Sequence, residues 1–231
     1  MVRSVKAYIN FPGIYWITSE DRSRKLGTKN FAPGFSVYGE RRVSFNHEEY
    51  RFWDPYRSKL AAAILNGLDS VPIFPESKVL YLGAASGTTA SHISDIVGEE
   101  GQVYCIEFSS RSLRELVNNV CTHRYNMLPI LADARLPASY SCMIGQVDSI
   151  YFDVAQPEQA KILADNSDIF LIKKGWVMIT IKAQSIDVTK EPTDVFKKEI
   201  EILKSRGFDI HSVINLEPFD KAHVMVVAQK E

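Results

Sequence analysis

The chain has 231 residues, of which 45% are hydrophobic and 24% charged, and its formal net charge is −1. This length allows one large domain or two small ones with a sizeable core, and no apolar run is long enough to span a membrane. No basic segment followed by an apolar stretch opens the chain, so no signal peptide is expected. The cysteines Cys105, Cys121 and Cys142 lack C-x-x-C spacing, which predicts reduced thiols in a cytoplasmic protein and no metal site.

The first quarter of the chain differs from the rest in charge and pattern. Residues 1–57 carry ten Lys and Arg against six Asp and Glu, whereas the remaining residues carry 17 against 22. Short alternating segments separated by turn residues predict a small, mostly antiparallel β domain over residues 1–54. Its polar and basic segment 21–30 predicts an exposed hairpin loop. The basic residues of this loop are suited to contact RNA phosphates, but exposure to solvent explains its polar composition as well.

Strands and helices alternate over residues 55–231. Asp54 and Pro55 predict a helix start, as cap and first residue of an Ala-rich helix over 56–68 that carries Lys59. The later strands are predicted at 78–82, 102–108, 127–132, 146–152, 175–181, 208–216 and 223–228. The helices between them are predicted at 90–97, 111–122, 157–166 and 193–205. This order predicts an α/β fold with a mostly parallel sheet, closed by an antiparallel hairpin of the last two strands.

The segment 78–89 predicts a strand, a tight turn and a helix start. Its turn contains Gly83 and Gly87, which let a ligand approach the backbone beside the free N–H groups of the new helix. The G-x-G-x-x-G fingerprint of dinucleotide sites is incomplete here. A nucleoside methyl-donor site and a plain turn between strand and helix therefore both remain open.

Charged residues end four of the predicted parallel strands. Glu107 follows Gly83 by 24 residues, close to the spacing of about 20 at which a carboxylate accepts ribose hydroxyls. Phe108 is suited to lie flat against an adenine. Asp133, Asp153 and Lys182 end the next strands, and ligands bind beyond the carboxyl ends of such sheets. Four charged residues at strand ends, on the same edge of the sheet as a glycine turn, predict a functional site.

Several of these segments together resemble fibrillarin. They are YLGAASGTT at 81–89, IEFS at 106–109, FDVAQP at 152–157, IKA at 181–183, SKLAAAI at 58–64 and LEPF at 216–219, continuing to His223. The resemblance covers essentially the whole chain. The Gly/Arg-rich N-terminal tail of eukaryotic fibrillarins is absent, so the chain is similar to the short archaeal form.

The resemblance implies a Rossmann-like class I methyltransferase fold with a seven-stranded sheet. It further implies an S-adenosylmethionine-dependent 2′-O-methyltransferase, the catalytic subunit of the box C/D ribonucleoprotein, acting on rRNA and tRNA. The implied partners are a Nop-domain scaffold protein, a kink-turn-binding ribosomal-type protein, a box C/D guide RNA and the target RNA. Pairing with the guide RNA would choose the target nucleotides.

Site residues follow from the resemblance, position by position. The implied catalytic residues are Lys59, Asp153, Lys182 and His223. The implied cofactor-binding residues are Gly83, Ala84, Gly87, Thr88, Thr89, Glu107, Phe108, Asp133, Ala134, Asp153 and Gln156. Before His223 the family usually has an acidic residue, and here that position is Ala222.

A lysine beside a carboxylate is expected to keep its charge. We therefore expect Lys182 to orient the attacking ribose oxygen and to stabilise its developing charge, while Asp153 and Lys59 hold that lysine and the donor. His223 is expected to position the ribose or to relay the proton. The sequence leaves the identity of the general base open.

Three alternatives remain at this level: a non-catalytic adenosyl-fold protein that scaffolds RNA, a stand-alone RNA methyltransferase, and a nicotinamide oxidoreductase. The intact catalytic set argues against the first, and the missing middle glycine argues against the last. The low net charge, with no recognisable RNA-binding module, predicts that the isolated chain binds its donor but methylates RNA poorly.

Overall fold

The computed structural model describes residues 2–231, which form two β-sheets and the helices around them. The strands are β1 (Val2–Ala7), β2 (Ile14–Ser19), β3 (Arg24–Lys29), β4 (Arg42–Phe45), β5 (Glu48–Phe52), β6 (Lys78–Leu82), β7 (Gln102–Glu107), β8 (Met127–Leu131), β9 (Val147–Phe152), β10 (Leu171–Lys182), β11 (Phe208–Asn215) and β12 (His223–Lys230). The α-helices are α1 (Lys59–Leu65), α2 (Thr88–Val97), α3 (Ser110–Asn119), α4 (Gln159–Phe170), α5 (Ala183–Ile186) and α6 (Pro192–Ser205). Within residues 2–231, no helix combines the length and apolar character that crossing a membrane requires.

The larger sheet has seven strands in the order β11-β12-β10-β9-β6-β7-β8. Strands β6 to β10 pair in parallel, and β12 runs antiparallel to both β10 and β11. The predicted α/β class, the mostly parallel sheet and the C-terminal hairpin are confirmed. The central strands β6 and β9 are buried on both faces, in accord with their nearly continuous apolar sequence, whereas every second residue of the edge strand β11 is exposed.

Strand β6 lies between β7 and β9, so the chain leaves β6 toward one side of the sheet and later returns to the other. The carboxyl ends on the two sides of this reversal bound a crevice where such sheets bind ligands. Gly83 follows β6 at this place and Asp153 follows β9. The topology therefore puts the glycine turn and the strand-end carboxylate beside each other.

The smaller sheet is antiparallel, in the order β1-β2-β3-β5-β4, and it packs on α2. Its apolar side chains join one core cluster with α1 and the face of the larger sheet that α1 covers. Arg51 on β5 is fully buried and contacts Asp95 on α2 at 2.8 Å, and Arg124 contacts the other oxygen of Asp95 at 2.6 Å. Removing one partner from such a buried set leaves an uncompensated charge, which costs about 3–5 kcal/mol. The division of the chain at residues 54 and 55 stays a prediction.

The predicted helix start at Asp54 and Pro55 is wrong. An Asp54 carboxylate oxygen accepts the Tyr56 N–H, and the Asp54 carbonyl accepts the Arg57 N–H, so these residues form a turn. Helix α1 begins at Lys59, where Ser58 is the cap and its hydroxyl accepts the Ala61 N–H. The shift matters because it puts Lys59 in the first turn of the helix, facing the carboxyl ends of the strands.

The predicted exposed loop over 21–30 is also wrong, because residues 24–29 form β3. Only Leu26, Gly27 and Thr28 of this strand are buried, and charged residues flank them on both sides. The Thr28 hydroxyl donates to Asp95 at 2.5 Å, so a polar residue takes an inward position that alternation alone would assign to an apolar one. Strand β5, which pairs with β3, was not predicted either.

Two boundaries in the C-terminal half also differ. Helix α4 begins at Gln159 rather than Pro157 and continues to Phe170 rather than residue 166. Strand β10 begins at Leu171 rather than Gly175, and its pairing with β9 is interrupted between Leu171 and Trp176. Within that interruption Lys174 has a φ of +58°, a conformation that propensity does not predict for lysine.

Candidate active site

A cleft of about 240 Å³ lies at the carboxyl ends of β6, β7, β8 and β9. The sequence predicted seven of the residues in its wall, and the structure brings them together from four separate turns. They are Gly83, Glu107, Phe108, Asp133, Ala134, Asp153 and Gln156. Ala85, Arg135, Val154 and Ala155 complete much of the wall and were not singled out from the sequence.

The turn after β6 explains why glycine stands at Gly83. Its φ is +85°, and a Cβ there would lie 3.0 Å from the carbonyl oxygen of Asp153, so no larger residue fits without displacing the cleft floor. Gly87 precedes α2 with a φ of +93°, and no side chain caps the first N–H groups of that helix. The first backbone N–H groups of α2 are thus free of side-chain caps, and they lie close to Gly83, where a side chain would not fit.

Glu107 is fixed by two backbone N–H groups. The Ala85 N–H donates to Oε2 and the Ser109 N–H donates to Oε1, each at 2.8 Å. Each carboxylate oxygen has a second lone pair, so both can still accept a ligand hydroxyl. This geometry suits a pair of vicinal hydroxyls such as those of a ribose, and it would repel a ribose phosphate.

An apolar ring and a charged pair lie beside Glu107. The Phe108 ring is 71% exposed, an unusual position for so large an apolar group, and it is available to cover a flat ligand ring. On the neighbouring strand Arg135 makes contacts of 2.6 to 3.1 Å with Asp133. The hydrogen bond from the Arg135 side chain, more than charge alone, lowers the pKa of Asp133 below its usual value.

Four of the predicted cofactor-binding residues are not part of this cleft wall, and ligand contact stays a prediction for them as for the seven in the wall. They are Ala84, Gly87, Thr88 and Thr89. The Thr89 hydroxyl donates to Ser58 at 3.0 Å, which ties the first turn of α2 to the cap of α1. This bond links the glycine turn to the helix that carries Lys59.

The four predicted catalytic residues meet at one end of this cleft. Lys182 Nζ lies 2.7 Å from Asp153 Oδ1, and it donates at the same distance to the backbone carbonyl of Asp153. Lys59 Nζ lies 3.1 Å from the same carboxylate oxygen. His223 is the residue paired with Lys182 across the antiparallel strands β10 and β12. The site therefore gathers side chains from α1, β9, β10 and β12.

Asp220 is a fifth member that the sequence reasoning missed. Its Oδ1 lies 2.7 Å from His223 Nδ1, and its Oδ2 lies 3.8 Å from Lys59 Nζ. The i, i+3 spacing of Asp220 and His223 was visible, but the turn that joins them has Ala222 at a φ of +56° and cannot be derived from spacing. An acidic partner for the histidine is thus present, although not at position 222.

The cluster alternates positive and negative groups, and its hydrogen bonds limit what each can do. An ammonium has three N–H donors, and Lys182 uses one of them on the Asp153 carbonyl while its charge lies against the Asp153 carboxylate. A carboxylate only accepts hydrogen bonds, so His223 carries a proton on Nδ1 in its contact with Asp220. In the neutral ring, Nε2 is then left as an acceptor. Lys182 therefore keeps N–H donors, and neutral His223 keeps an acceptor, for a ligand at the cleft.

Two tyrosines lie beneath the cluster. Burial, reinforced by the neighbouring Tyr151, raises the pKa of Tyr81 well above its ordinary value. Burial and then the Asp153 charge raise the pKa of Tyr151 in the same way. Their ring centroids are 4.7 Å apart. Both hydroxyls stay neutral, so these residues support the strands rather than exchange protons.

The strand order, the glycine turn after β6 and the carboxylate at the end of β7 define a Rossmann-like methyltransferase fold with a cleft suited to a nucleoside. The chain belongs to the fibrillarin family, because the fibrillarin family model matches residues 5–231. It is 55% identical over 230 residues to the fibrillarin-like rRNA/tRNA 2′-O-methyltransferase of Pyrobaculum aerophilum, covering 99% of this chain and 98% of that one.

Two solved structures extend this similarity. Aeropyrum pernix fibrillarin, solved with natively bound S-adenosyl-L-methionine, matches with a TM-score of 0.93 at 49% identity, covering 99% of each chain. A fibrillarin–Nop5p complex matches with a TM-score of 0.85 at 40% identity, covering 96% of this chain and 99% of that one. The predicted family and fold are therefore confirmed.

Proposed function

We propose that this chain transfers the methyl group of S-adenosylmethionine to ribose 2′-hydroxyls of guide-selected nucleotides in rRNA and tRNA, as the catalytic subunit of a box C/D ribonucleoprotein. The observation that carries the proposal is the convergence of Lys59, Asp153, Lys182 and His223 at the end of a cleft suited to a nucleoside. The names and assemblies of the relatives support the same function.

The cleft residues fit S-adenosylmethionine. Gly83 leaves space that a Cβ would fill, and α2 offers uncapped N–H groups to the carboxylate of the donor's amino-acid part. Glu107 has lone pairs free for the ribose hydroxyls, and Phe108 offers an open ring to the adenine. When bound, this cofactor supplies a methyl group on a cationic sulfur, which is open to displacement by an oxygen.

Lys182 orients and stabilises the attacking oxygen in this proposal. The Asp153 carbonyl accepts from one of the three N–H donors of Lys182 and the Asp153 carboxylate holds its charge in place, so an N–H donor is available to the ribose 2′-oxygen. Fixed in this way, the ammonium stabilises negative charge that develops as the hydroxyl loses its proton. Lys59 contacts the same carboxylate and limits its rotation.

His223 accepts the proton of the 2′-hydroxyl at Nε2. Its contact with Asp220 fixes the proton on Nδ1, which leaves the lone pair on the opposite nitrogen. A base positioned by a carboxylate is a recurring arrangement, and it typically contributes roughly 10²- to 10⁴-fold in rate. Asp220 is a positioning residue in this scheme, since it acts through His223 and Lys59.

The assembly has a protein and an RNA part. The similarity to the fibrillarin–Nop5p complex supports a Nop-domain scaffold protein as a partner of this chain. A kink-turn-binding ribosomal-type protein, a box C/D guide RNA and cytoplasmic assembly are part of the proposal. A net charge of −1 gives little attraction for RNA, so the partners supply most of the affinity and register.

Methyl transfer from labelled S-adenosylmethionine to a guide–target RNA, with and without the partner proteins, tests the proposal. Digestion of the product must give a 2′-O-methyl nucleotide at the guide-selected position. A methyl group on a base, or transfer that ignores the guide, would contradict it. Calorimetry with NAD in place of S-adenosylmethionine tests the oxidoreductase alternative, for which we expect no binding.

A further inference from the structure

A second and larger cleft, of about 980 Å³, is lined by residues of the smaller sheet, the turn that follows it and the end of α1. One wall is the end of the smaller sheet around Leu26 and Phe52, and the other includes Leu65 at the end of α1. The turn 54–57 closes the end nearest the catalytic residues. We refer to this cleft, between β3 and α1, as the β3–α1 groove.

One end of the groove lies next to the catalytic cluster. Tyr56 lines it and packs edge-on against Phe219, with ring centroids 5.1 Å apart. Phe219 directly precedes Asp220 in the turn that carries His223. On the other side, Arg57 is two residues from Lys59. The groove end at residues 54–57 therefore lies beside the catalytic cluster, within reach of an RNA strand whose ribose occupies that cluster.

Exposed cations and aromatic rings line the groove. The Arg57 guanidinium lies 5.2 Å from the centroid of Tyr38, and the Arg41 guanidinium lies 5.3 Å from that of Phe52. These contacts hold both guanidinium groups at the wall with their outer faces open. The Tyr56 ring is 69% exposed. Fixed cations beside an open ring match the alternating phosphates and bases of a single RNA strand.

Four acidic residues also line the groove, and they differ in how far their charge is balanced. Glu40 forms a buried ion pair with Arg51 at 2.5 Å, so its charge is balanced within the protein. Asp54 accepts the Tyr56 N–H. Glu20 and Asp21 lie in the β2–β3 turn, at the far end of the groove. By contrast, the donor cleft contains Glu107, whose carboxylate has only backbone N–H partners and would repel a phosphate.

We infer that the β3–α1 groove binds the RNA strand adjoining the target nucleotide, with Arg41 and Arg57 on phosphates and Tyr56 stacked on a base. This rests on the proposed function, because the RNA must place a 2′-hydroxyl beside Lys182. The groove thereby determines in which direction the RNA strand leaves the catalytic site. It holds the strand beside the catalytic cluster, while the guide and the partner proteins select the nucleotide and set its register.

The test measures binding of a fluorescein-labelled guide–target RNA to the full chain by anisotropy, over a range of salt concentrations. The double variant R41A/R57A is compared with K197A/K198A, which removes the same charge from exposed lysines of α6 on the other face of the larger sheet. For R41A/R57A we expect weaker binding and a log–log salt slope shallower by about 0.7 to 0.9 for each arginine. The control pair should keep the wild-type slope.

Tyr56 gives an independent readout. Tyr56→Ala should weaken RNA binding roughly five-fold or more, whereas Tyr56→Phe, which keeps the ring, should not. Donor affinity in calorimetry should stay at the wild-type value for every groove variant. Equal losses in R41A/R57A and K197A/K198A would overturn the inference, and so would wild-type RNA affinity in both arginine and Tyr56→Ala variants.

Two further outcomes separate this inference from the proposed function. If the groove variants bind RNA normally but fail to bind the Nop-domain protein, the groove docks a protein and the inference is wrong. If the wild-type particle methylates guide-selected riboses while all groove variants keep its KM for RNA, the function stands and the inference fails. A wild-type particle without methyl transfer would contradict the function itself.

Discussion

His223 Nδ1 lies 2.7 Å from Asp220 Oδ1, and the second oxygen of that carboxylate faces Lys59 Nζ at 3.8 Å. One carboxylate thus links the histidine of β12 to the lysine of α1. The link determines which imidazole nitrogen carries the proton, and therefore which nitrogen can accept one from a ribose.

The first prediction concerns Asp220. Asp220→Ala should move the proton of neutral His223 to Nε2, the form favoured by a free imidazole, and lower kcat of the assembled particle by roughly ten-fold or more. Asp220→Asn should retain much of the rate, because its amide oxygen still accepts from Nδ1. Ring ¹⁵N shifts of His223 report the tautomer. An unchanged tautomer with an unchanged rate in Asp220→Ala would remove Asp220 from the mechanism.

Glu107 provides the second prediction. Glu107→Ala removes an acceptor that two backbone N–H groups hold in place, so S-adenosylmethionine should bind about 1–3 kcal/mol more weakly. Isothermal calorimetry on the full chain measures this directly. Lys173→Ala, an exposed change near the start of β10, serves as the control and should leave the affinity unaltered. Wild-type affinity in Glu107→Ala would place the ribose elsewhere.

The third prediction separates catalysis from binding. Lys182→Ala should cut the rate of methyl transfer by roughly 10²-fold or more, because the oxyanion loses a donor held by Asp153. Assembly with the scaffold protein should persist, as should donor binding. Single-turnover rates in the assembled particle are the measurement. Near-normal turnover would end the electrostatic role of Lys182.

The fourth prediction concerns pH and stability through His92. Burial, reinforced by Arg51 and Arg124, lowers the pKa of this ring well below its usual value, so the fold keeps it neutral. The unfolded chain binds a proton below about pH 6.5, and the folded chain does not, so stability is lost as the pH falls. We expect a loss of about 1.4 kcal/mol per pH unit below 6.5 from this residue.

Urea denaturation at pH 7.5 and pH 5.5 tests this, with His92→Gln as the comparison. The glutamine amide can also contact Thr28 and Tyr38, the two hydroxyls that His92 contacts at 2.7 and 2.8 Å. The variant should be less stable at the higher pH yet lose less on acidification. Equal pH dependence in both proteins would show that His92 does not govern it.

Local pattern predicted much of the site and little of what surrounds it. Glu107, Asp153 and Lys182 end parallel strands, and strand ends share an edge, so their proximity followed from the alternation of elements alone. Lys59 and His223 entered only through the fibrillarin resemblance, since nothing local brings α1 or β12 to that edge. Asp220 depends on a turn with a positive φ at Ala222, which spacing does not encode.

The smaller sheet was harder to predict for a related reason. The sequence of β3 resembles a charged loop because only its three central residues face the core. One of these, Thr28, is polar, and its hydroxyl donates a hydrogen bond to Asp95, 67 residues later in the chain. Likewise Arg51 is buried because Asp95, 44 residues later in the chain, neutralises it. A charged residue in a sequence normally indicates a solvent-exposed position, and its burial here depends on a tertiary contact that the local sequence does not show.

The central claim is that this chain is a guide-dependent ribose methyltransferase whose own surface binds RNA too weakly for efficient methyl transfer without its partners. The most direct test compares methyl transfer to one guide–target RNA at low salt by the chain alone, by the complete particle, and by a particle carrying Lys182→Ala. We predict efficient transfer, at the 2′-oxygen of the guide-selected nucleotide, only in the complete wild-type particle. Multiple turnover by the chain alone at the rate of the particle would contradict the account.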